Sequence, residues 1–428
     1  MPAIARPTLF RPPPPDPGRS PIENDLEVTA VSDLGEDIFT NTRPPWHPPG
    51  ARGVYGGSVV AMSLAAGQRT VPARFALHSL HCYFLLAGHG QVPILFHVER
   101  VRDGRSFATR TVQARQRGKC IFTVTMSFTK PQAAAAMVSL SRPNPVVTAA
   151  SSAGILSTPL PLPPPQPRPQ IPLPVHVQHA AASPPERPPL PGPGYGEDDD
   201  AVLRDVRFAR ILGADDADNP PQPIMAGPLV LVGGPAPTDK NDGAPYYAKS
   251  LQWVRVRGRI SAAGGSAAHL TALAYMSDRY FIGTICRLHR LWRFPFSVED
   301  VLASEKAAAA DGADGADTTL PFTPSTARDI RTYIEADGGV PLEAYRGRPS
   351  VGMVVSLDHT LYVHEPARVR ADEWLLAEMA SPWAGAGRGV VTQRLFAADG
   401  TLLATCIQEG IIRLKEPEPE DTNVRSKI

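Results

Sequence analysis

Apolar and polar positions follow the same order of patterns in two separate stretches of the chain. In the first, residues 56–71 (GGSVVAMSLAAGQRTV) are largely apolar and predict a buried helix. Four segments after it read as strands: 75–86 (FALHSLHCYFLL), 93–102 (PILFHVERVR), 106–116 (SFATRTVQARQ) and 119–130 (KCIFTVTMSFTK). In the second, residues 269–284 (HLTALAYMSDRYFIGT) predict the helix, and 351–366, 373–383, 389–398 and 402–414 predict strands. The final hairpins superpose on their turns, RQRGK and AADGT, when Gly118 is paired with Gly400; Met126 then falls on Gln408. A helix followed by four antiparallel strands, twice, is what a duplicated sheet wrapped on a central helix requires. Periodicity alone leaves chance similarity between short amphipathic strands as the alternative.

Composition sets the boundaries of these blocks. Fifteen of the 48 prolines fall between Pro159 and Pro193, a segment that can form neither helix nor central strand. We therefore expect a tail over 1–24, an N-terminal domain over 25–130, and a mostly disordered Pro/Ala-rich linker over 131–237. A short ordered piece around 201–212 is allowed within that linker. A C-terminal domain over 238–414 follows, with a flexible loop at about 303–320, and then a tail over 415–428. The fold class is α+β.

The charge balance, 43 Lys+Arg against 42 Asp+Glu, gives no global field for nucleic acid or an anionic membrane. Any anionic ligand needs a local site. Four cysteines without a CxxC argue against a disulfide framework or zinc site, and a reduced, intracellular protein is expected. No run of about 18 apolar residues predicts a membrane span, and the N-terminus lacks the apolar core of a secretory signal.

Taken together, GVYGGSVVAMSLAAGQRTV, HSLHCYFLLAG and VERVRDGRSFATRTVQARQRGKCIFTVTMSF resemble the N-terminal half of the acyl-CoA thioesterase II family. YMSDRYFIGT, VSLDHTLYVHEP, EWLL, SPWAGAGRG and DGTLLATCIQEGIIR resemble its C-terminal half, nearest the peroxisomal members. The resemblance implies a double hotdog, two long helices wrapped by one continuous antiparallel sheet, and hydrolysis of fatty acyl-CoA to fatty acid and CoA without a cofactor. The Pro-rich insertion departs from the family's compact pattern.

Thioester hydrolysis needs an activated water, a polarised carbonyl and a dry slot for the acyl chain. Asp278 is a carboxylate in an otherwise apolar and aromatic segment, where burial raises its pKa toward that of a base; on its own it also reads as a helix-end or salt-bridge residue. The resemblance places the family's catalytic Asp there. Gln408 interrupts an apolar strand, and matching the family assigns it to the site beside the Asp. Ser356 matches a hydroxyl position that helps orient the water. Asp358 and His359 are neighbours on one strand and point to opposite faces, so a shared catalytic role is not expected and hydrogen bonding to loops is.

His78 and His81, three apart on a strand, are expected on opposite faces, with a structural or substrate-lining role. Gly56 and Gly57 at the helix start bring backbone N–H groups close to a carbonyl oxygen or simply allow tight packing. Arg102, Arg105, Arg110 and Arg388 are candidates for the CoA phosphates, Arg105 and Arg388 foremost. No GxSxG elbow supports an acyl-enzyme route. A hotdog enoyl-CoA hydratase and a non-catalytic acyl-CoA-binding protein are the alternatives. The terminal Ser426-Lys427-Ile428 differs from Ser-Lys-Leu by one aliphatic isomer, which points to an import receptor and the peroxisome, with the cytoplasm as alternative. Homo-oligomerisation is left open.

Overall fold

The computed structural model describes residues 12–48, 53–130, 188–192, 195, 200, 203–204, 207–208, 211, 222–233, 247–310 and 320–415. The N-terminal half opens with α1 (Pro21–Asp25), β1 (Val28–Ala30), β2 (Ile38–Asn41) and α2 (Gly56–Gln68). Strands β3 (Ala76–Phe84), β4 (Leu95–Asp103), β5 (Phe107–Gln116) and β6 (Lys119–Thr129) follow. The C-terminal half holds β7 (Ile224–Ala226), β8 (Val230–Val232), β9 (Lys249–Val256), α3 (Gly265–Met276), α4 (Gly283–Leu288), α5 (Val298–Ala310) and α6 (Pro324–Gly338). It ends with β10 (Val351–Ser356), β11 (Asp358–Val363), β12 (Leu375–Gly385), β13 (Arg388–Ala397) and β14 (Leu402–Leu414).

The described strands form one 14-stranded sheet in the order β1-β2-β4-β5-β6-β3-β11-β14-β13-β12-β9-β7, with β10 on β14 and β8 on β9. The run β4-β5-β6-β3 in one half has its counterpart β12-β13-β14-β11 in the other. The halves join where β3 pairs antiparallel with β11, His359 opposite Cys82 and Leu361 opposite Leu80. Alternation of buried and outward residues along β5 and β13 fixes which face meets the core.

Helices α2 and α3 fill the inside of that sheet. Neither carries a charged side chain, and nearly every position of α2 from Gly57 to Gly67 is buried, so each helix must be covered all round. They run antiparallel. Gln68 at the end of α2 donates to the Ala267 carbonyl at the start of α3 (3.3 Å), and Tyr55 before α2 donates to the Tyr275 carbonyl near the end of α3 (3.0 Å). Two helices wrapped by one antiparallel sheet is the double-hotdog architecture.

Three expectations need correction. The linker does not run to 237: residues 222–233 contribute β7 and β8, both paired with β9. Further back, the Pro188 carbonyl accepts from the Trp253 indole (3.0 Å), and buried Asp200 is ion-paired with Arg257. Proline-rich composition concealed the short apolar run IMAGPLVLV, whose one proline, Pro228, lies between the two strands. The helix expected over 269–284 stops at Met276; the chain then turns, with Tyr280 at φ +56, before α4. Finally, the segment expected to be a loop at about 303–320 begins as helix, since α5 extends to Ala310; residues 311–319 lie outside the described residues.

α5 and α6 build a second, smaller core around Phe294, Val301, Ile330 and Leu342. It is tied to α4 by half-buried Asp337, which accepts from Arg287 (2.8 Å) and Arg293. Burial pushes the Asp337 carboxyl up, but the two guanidinium groups prevail and hold it far below the usual carboxylate range. Removing that carboxylate leaves a buried guanidinium without its counter-ion. Asp337→Ala is therefore expected to cost about 3–5 kcal/mol in urea unfolding, and an unchanged midpoint would show that the helical insertion is held by other contacts.

Candidate active site

Asp278 stands two residues beyond the end of α3, not inside it, and faces the start of α2. Its carboxylate is half-buried and receives two donors: Gln408 Nε2 at 2.8 Å from Oδ1, and the backbone N–H of Gly57. The N-terminal half thus supplies a helix N-terminus to a carboxylate of the C-terminal half, and the partial positive charge there favours the anion. Burial nevertheless dominates, and it pushes the Asp278 carboxyl up to about 6 against the two hydrogen bonds. A carboxyl in that range is ionised at neutral pH yet basic enough to take a proton from water.

Gly56 and Gly57 are there because nothing larger fits. A Cβ on Gly56 would lie 2.8 Å from Asp278 Oδ2 and 2.9 Å from the Phe84 ring, and one on Gly57 would lie 2.5 Å from the Tyr275 carbonyl. Of the two readings made from sequence, close helix packing applies at Gly57, whose N–H is turned to Asp278 rather than left for a substrate carbonyl. At Gly56 the missing side chain keeps Oδ2 uncovered.

Gln408 is fully buried on the inner face of β14. Its amide nitrogen also approaches His359 Nδ1, a longer contact of 3.5 Å. His359 Nε2 lies 2.9 Å from Ser277 Oγ, and the Ser277 hydroxyl donates to the Ala274 carbonyl (2.9 Å). With that hydroxyl so engaged, Nε2 carries the imidazole proton and Nδ1 accepts; the tautomer follows from the network. Burial pushes His359 down to about 3, so the ring stays neutral at working pH. The chain of contacts fixes the amide with nitrogen toward Asp278, leaving Gln408 Oε1 buried and without a hydrogen-bond partner among the described residues.

His359 is the residue sequence reasoning missed. The opposite-faces argument is sound for Asp358, which accepts from the Glu409 N–H (2.7 Å). Across the sheet, the β11–β14 register that pairs Thr360 with Ile407 brings His359 to Gln408. Parity misled at His78 as well. A register shift between Leu77 and Ser79 leaves both His78 and His81 on the outer surface, His78 against Phe107 and His81 against Thr360 and Tyr362, so neither lines the site.

Ser356 ends β10 opposite Gly410, two residues along β14 from Gln408, which puts it on the same face. Among the described residues its hydroxyl makes no hydrogen bond to Asp278 or Gln408. Arg388 lies at the end of β13 near Gly410, ion-paired with Glu409 (2.9 Å). Exposed Arg105 sits at the β4–β5 turn, and Arg102 and Arg110 lie beside that turn, at the other end of the helix pair. Arg110 is buried and bound to Asp103 (2.5 Å) and Thr70. Met126, superposed on Gln408 from the turns, is buried on β6 and carries no polar group.

Two family models match the chain: the acyl-CoA thioesterase N-terminal domain over residues 42–129 and the acyl-CoA thioesterase C-terminal domain over residues 208–412. Acyl-coenzyme A thioesterase 8 of Rattus norvegicus is 30% identical over 408 residues, covering 94% of each chain. The chain belongs to the acyl-CoA thioesterase family. Peroxisomal acyl-coenzyme A thioester hydrolase 1 of Saccharomyces cerevisiae is 38% identical to this thioesterase-family chain over 109 residues, 26% of this chain and 30% of its own length. The crystal structure of an acyl-CoA thioesterase II, TesB2, from Mycobacterium marinum aligns over 93% of this chain and 99% of its own, at 23% identity and a TM-score of 0.49.

The raised Asp278 pKa has a sign that stability can reveal. Between its ordinary value of 3.8 and about 6 the folded state holds a proton that the unfolded state has released. Ionising Asp278 therefore costs stability, and the cost is complete above pH 6. Asp278→Asn should be more stable than the parent at pH 8, by about 3 kcal/mol for a rise from 3.8 to about 6, with the gain gone below pH 4. A destabilised Asn variant at pH 8 would contradict the raised pKa.

Proposed function

We propose that the chain hydrolyses fatty acyl-CoA with a water held and activated by Asp278, Gln408 and Ser356. The observation that carries this reading is the carboxylate of Asp278, raised to about 6 and bound to a buried amide at the N-terminus of α2. In the proposed reaction Asp278 accepts a proton from water while the unpartnered Gln408 Oε1 accepts a hydrogen bond from the other O–H. The hydroxide formed adds to the thioester carbonyl. Collapse of the tetrahedral adduct breaks the C–S bond, and the CoA thiolate leaves with the proton from Asp278. Fatty acid and CoA thiol are the products, and Asp278 is ionised again.

In this proposal Ser356 orients the water from the same face of the sheet, and His359 is a positioning residue. It touches neither water nor substrate in this scheme and acts by fixing which way the Gln408 amide points. Arg388 remains the candidate for a CoA phosphate at this end of the sheet, at the expense of its pairing with Glu409. The functional units are taken as 25–130 and 238–414, the second extended back to β7.

The hydratase alternative is weaker on geometry. His359, the imidazole closest to Gln408, is neutral with its Nε2–H engaged by Ser277, and His289 is bound to Ser381 (3.0 Å). A non-catalytic acyl-CoA carrier does not account for a buried carboxylate kept at a raised pKa, which is a cost without a function.

Asp278→Asn should lower kcat by roughly 10²–10⁴ with KM little changed. Gln408→Ala should cost less than Asp278→Asn, on the order of 10², because its amide positions the water and the aspartate, and Ser356→Ala the least. His359→Asn is expected to lower kcat rather than raise KM. A folded Asp278→Asn enzyme within a few-fold of the parent rate would exclude this mechanism.

We also infer a peroxisomal location from Ser426-Lys427-Ile428, which lies outside the described residues, through an import receptor that reads the C-terminus. The yeast relative, named a peroxisomal acyl-coenzyme A thioester hydrolase, supports the location. A fluorescent protein carrying the last twelve residues should become punctate, as a Ser-Lys-Leu control does; diffuse signal beside a punctate control would refute the address.

A further inference from the structure

The antiparallel helix pair has two ends, and only one of them holds Asp278. At the other end the end of α2 meets the start of α3, as the end of α3 meets the start of α2 at the active site. Thr70 lies two residues beyond α2, as Asp278 does beyond α3. Gly264 caps α3 and Gly265 begins it, much as Gly56 and Gly57 begin α2, and Met126 stands for Gln408. Where Asp278 takes a hydrogen bond from Gln408, Thr70 Oγ1 takes one from Arg110 (2.8 Å), a buried guanidinium already bound to Asp103.

A carboxylate also occupies this second end, but it cannot act as a base. Glu23 of α1 accepts from the N–H and hydroxyl of Ser20 and from the N–H and hydroxyl of Ser261, four donors at 2.6–2.9 Å. Burial pushes its carboxyl up, yet those donors together hold it below the usual range. Its lone pairs are filled where those of Asp278 are not. The water-activating parts are gone from this end.

The space is not gone. A cavity of about 640 Å³ opens here, with Ile22, Leu26, Phe75 and Leu270 among its apolar walls and Arg69 and Arg74 exposed at its rim. That volume falls within the roughly 300–1,000 Å³ of small-molecule pockets, which are mostly apolar with a few polar groups fixing orientation. Lys130 adds charge beside the rim: its ammonium and the Arg74 guanidinium lie 5.9 and 5.6 Å from the Phe75 ring centre. Glu27 on the same wall is paired with Arg19 and Arg43, so apolar walls with Arg69 and Arg74 at the rim match an aliphatic chain with an anionic head.

We propose that this cavity is a non-hydrolytic binding site for such an amphiphile, a fatty acid or an acyl-CoA, occupied independently of Asp278. The choice of ligand rests on the acyl-CoA reading of the active site; the cavity and its lost chemistry do not. The test is equilibrium dialysis of the full chain with laurate and, separately, with the non-hydrolysable thioether S-dodecyl-CoA. The parent and Asp278→Asn should each bind a molecule of at least one ligand beyond that held at the active site. Ala65→Phe, which fills the cavity from α2, should lose that molecule and keep the parent kcat. Arg69→Glu with Arg74→Glu, both on the surface, should weaken it by roughly tenfold and guards against a misfolded Ala65→Phe. A parent that binds a single molecule of each ligand, or a second molecule that survives both variants, overturns the proposal. Failure of the hydrolytic reading would appear instead as an Asp278→Asn enzyme that still turns over.

Discussion

The site depends on a carboxylate held between a helix N-terminus and a buried amide. Asp278 cannot reach that position from within a helix, because it must leave the end of α3 and turn toward α2. The sheet has to bring Gln408 over it, and the seam between β3 and β11 has to set the two halves so that Gly57 faces it. Each half alone would have a helix and strands but no complete site. The antiparallel packing of α2 on α3 is thus a functional constraint as much as a way of burying two uncharged helices.

Around that carboxylate the structure accepts local costs that a purely stable fold would avoid. Asp278 is buried enough to raise its pKa, Gln408 keeps a buried oxygen without a partner among the described residues, and Tyr280 lies in the left-handed region directly after the site. His359, neutral and fully buried, converts one of these costs into direction: by accepting from the amide it determines which end of Gln408 meets the aspartate. At the opposite end of the helix pair such costs are absent. Glu23 is saturated with donors, Thr70 is neutral and Met126 is apolar, so two halves of similar layout carry different chemistry.

Much of this was legible in the sequence because local patterns were strong. The uncharged run 56–68 could only be a buried helix, β5 and β13 alternate cleanly, and Asp278 and Gln408 stand out as polar residues in apolar surroundings. What could not be read depends on pairing between distant strands. The contact of His359 with Gln408 arises from register across β11 and β14, and the outward position of His78 from a single extra residue near Leu77. β7 and β8 were hidden in proline-rich composition, and the end of α3 carries no glycine or proline to announce it, since Met276, Ser277 and Asp278 are all compatible with another turn of helix.

The central claim is that Asp278 is a poised base, and its own titration tests this most directly. Carboxyl carbons of aspartate can be followed by ¹³C NMR across pH 3–8 in the full chain, with the Asp278→Asn spectrum identifying the resonance. The account predicts a midpoint near 6 for Asp278, moving upward when Gln408→Ala removes a hydrogen bond to the charged form. A midpoint near the ordinary 3.8, unmoved by loss of Gln408, would contradict it.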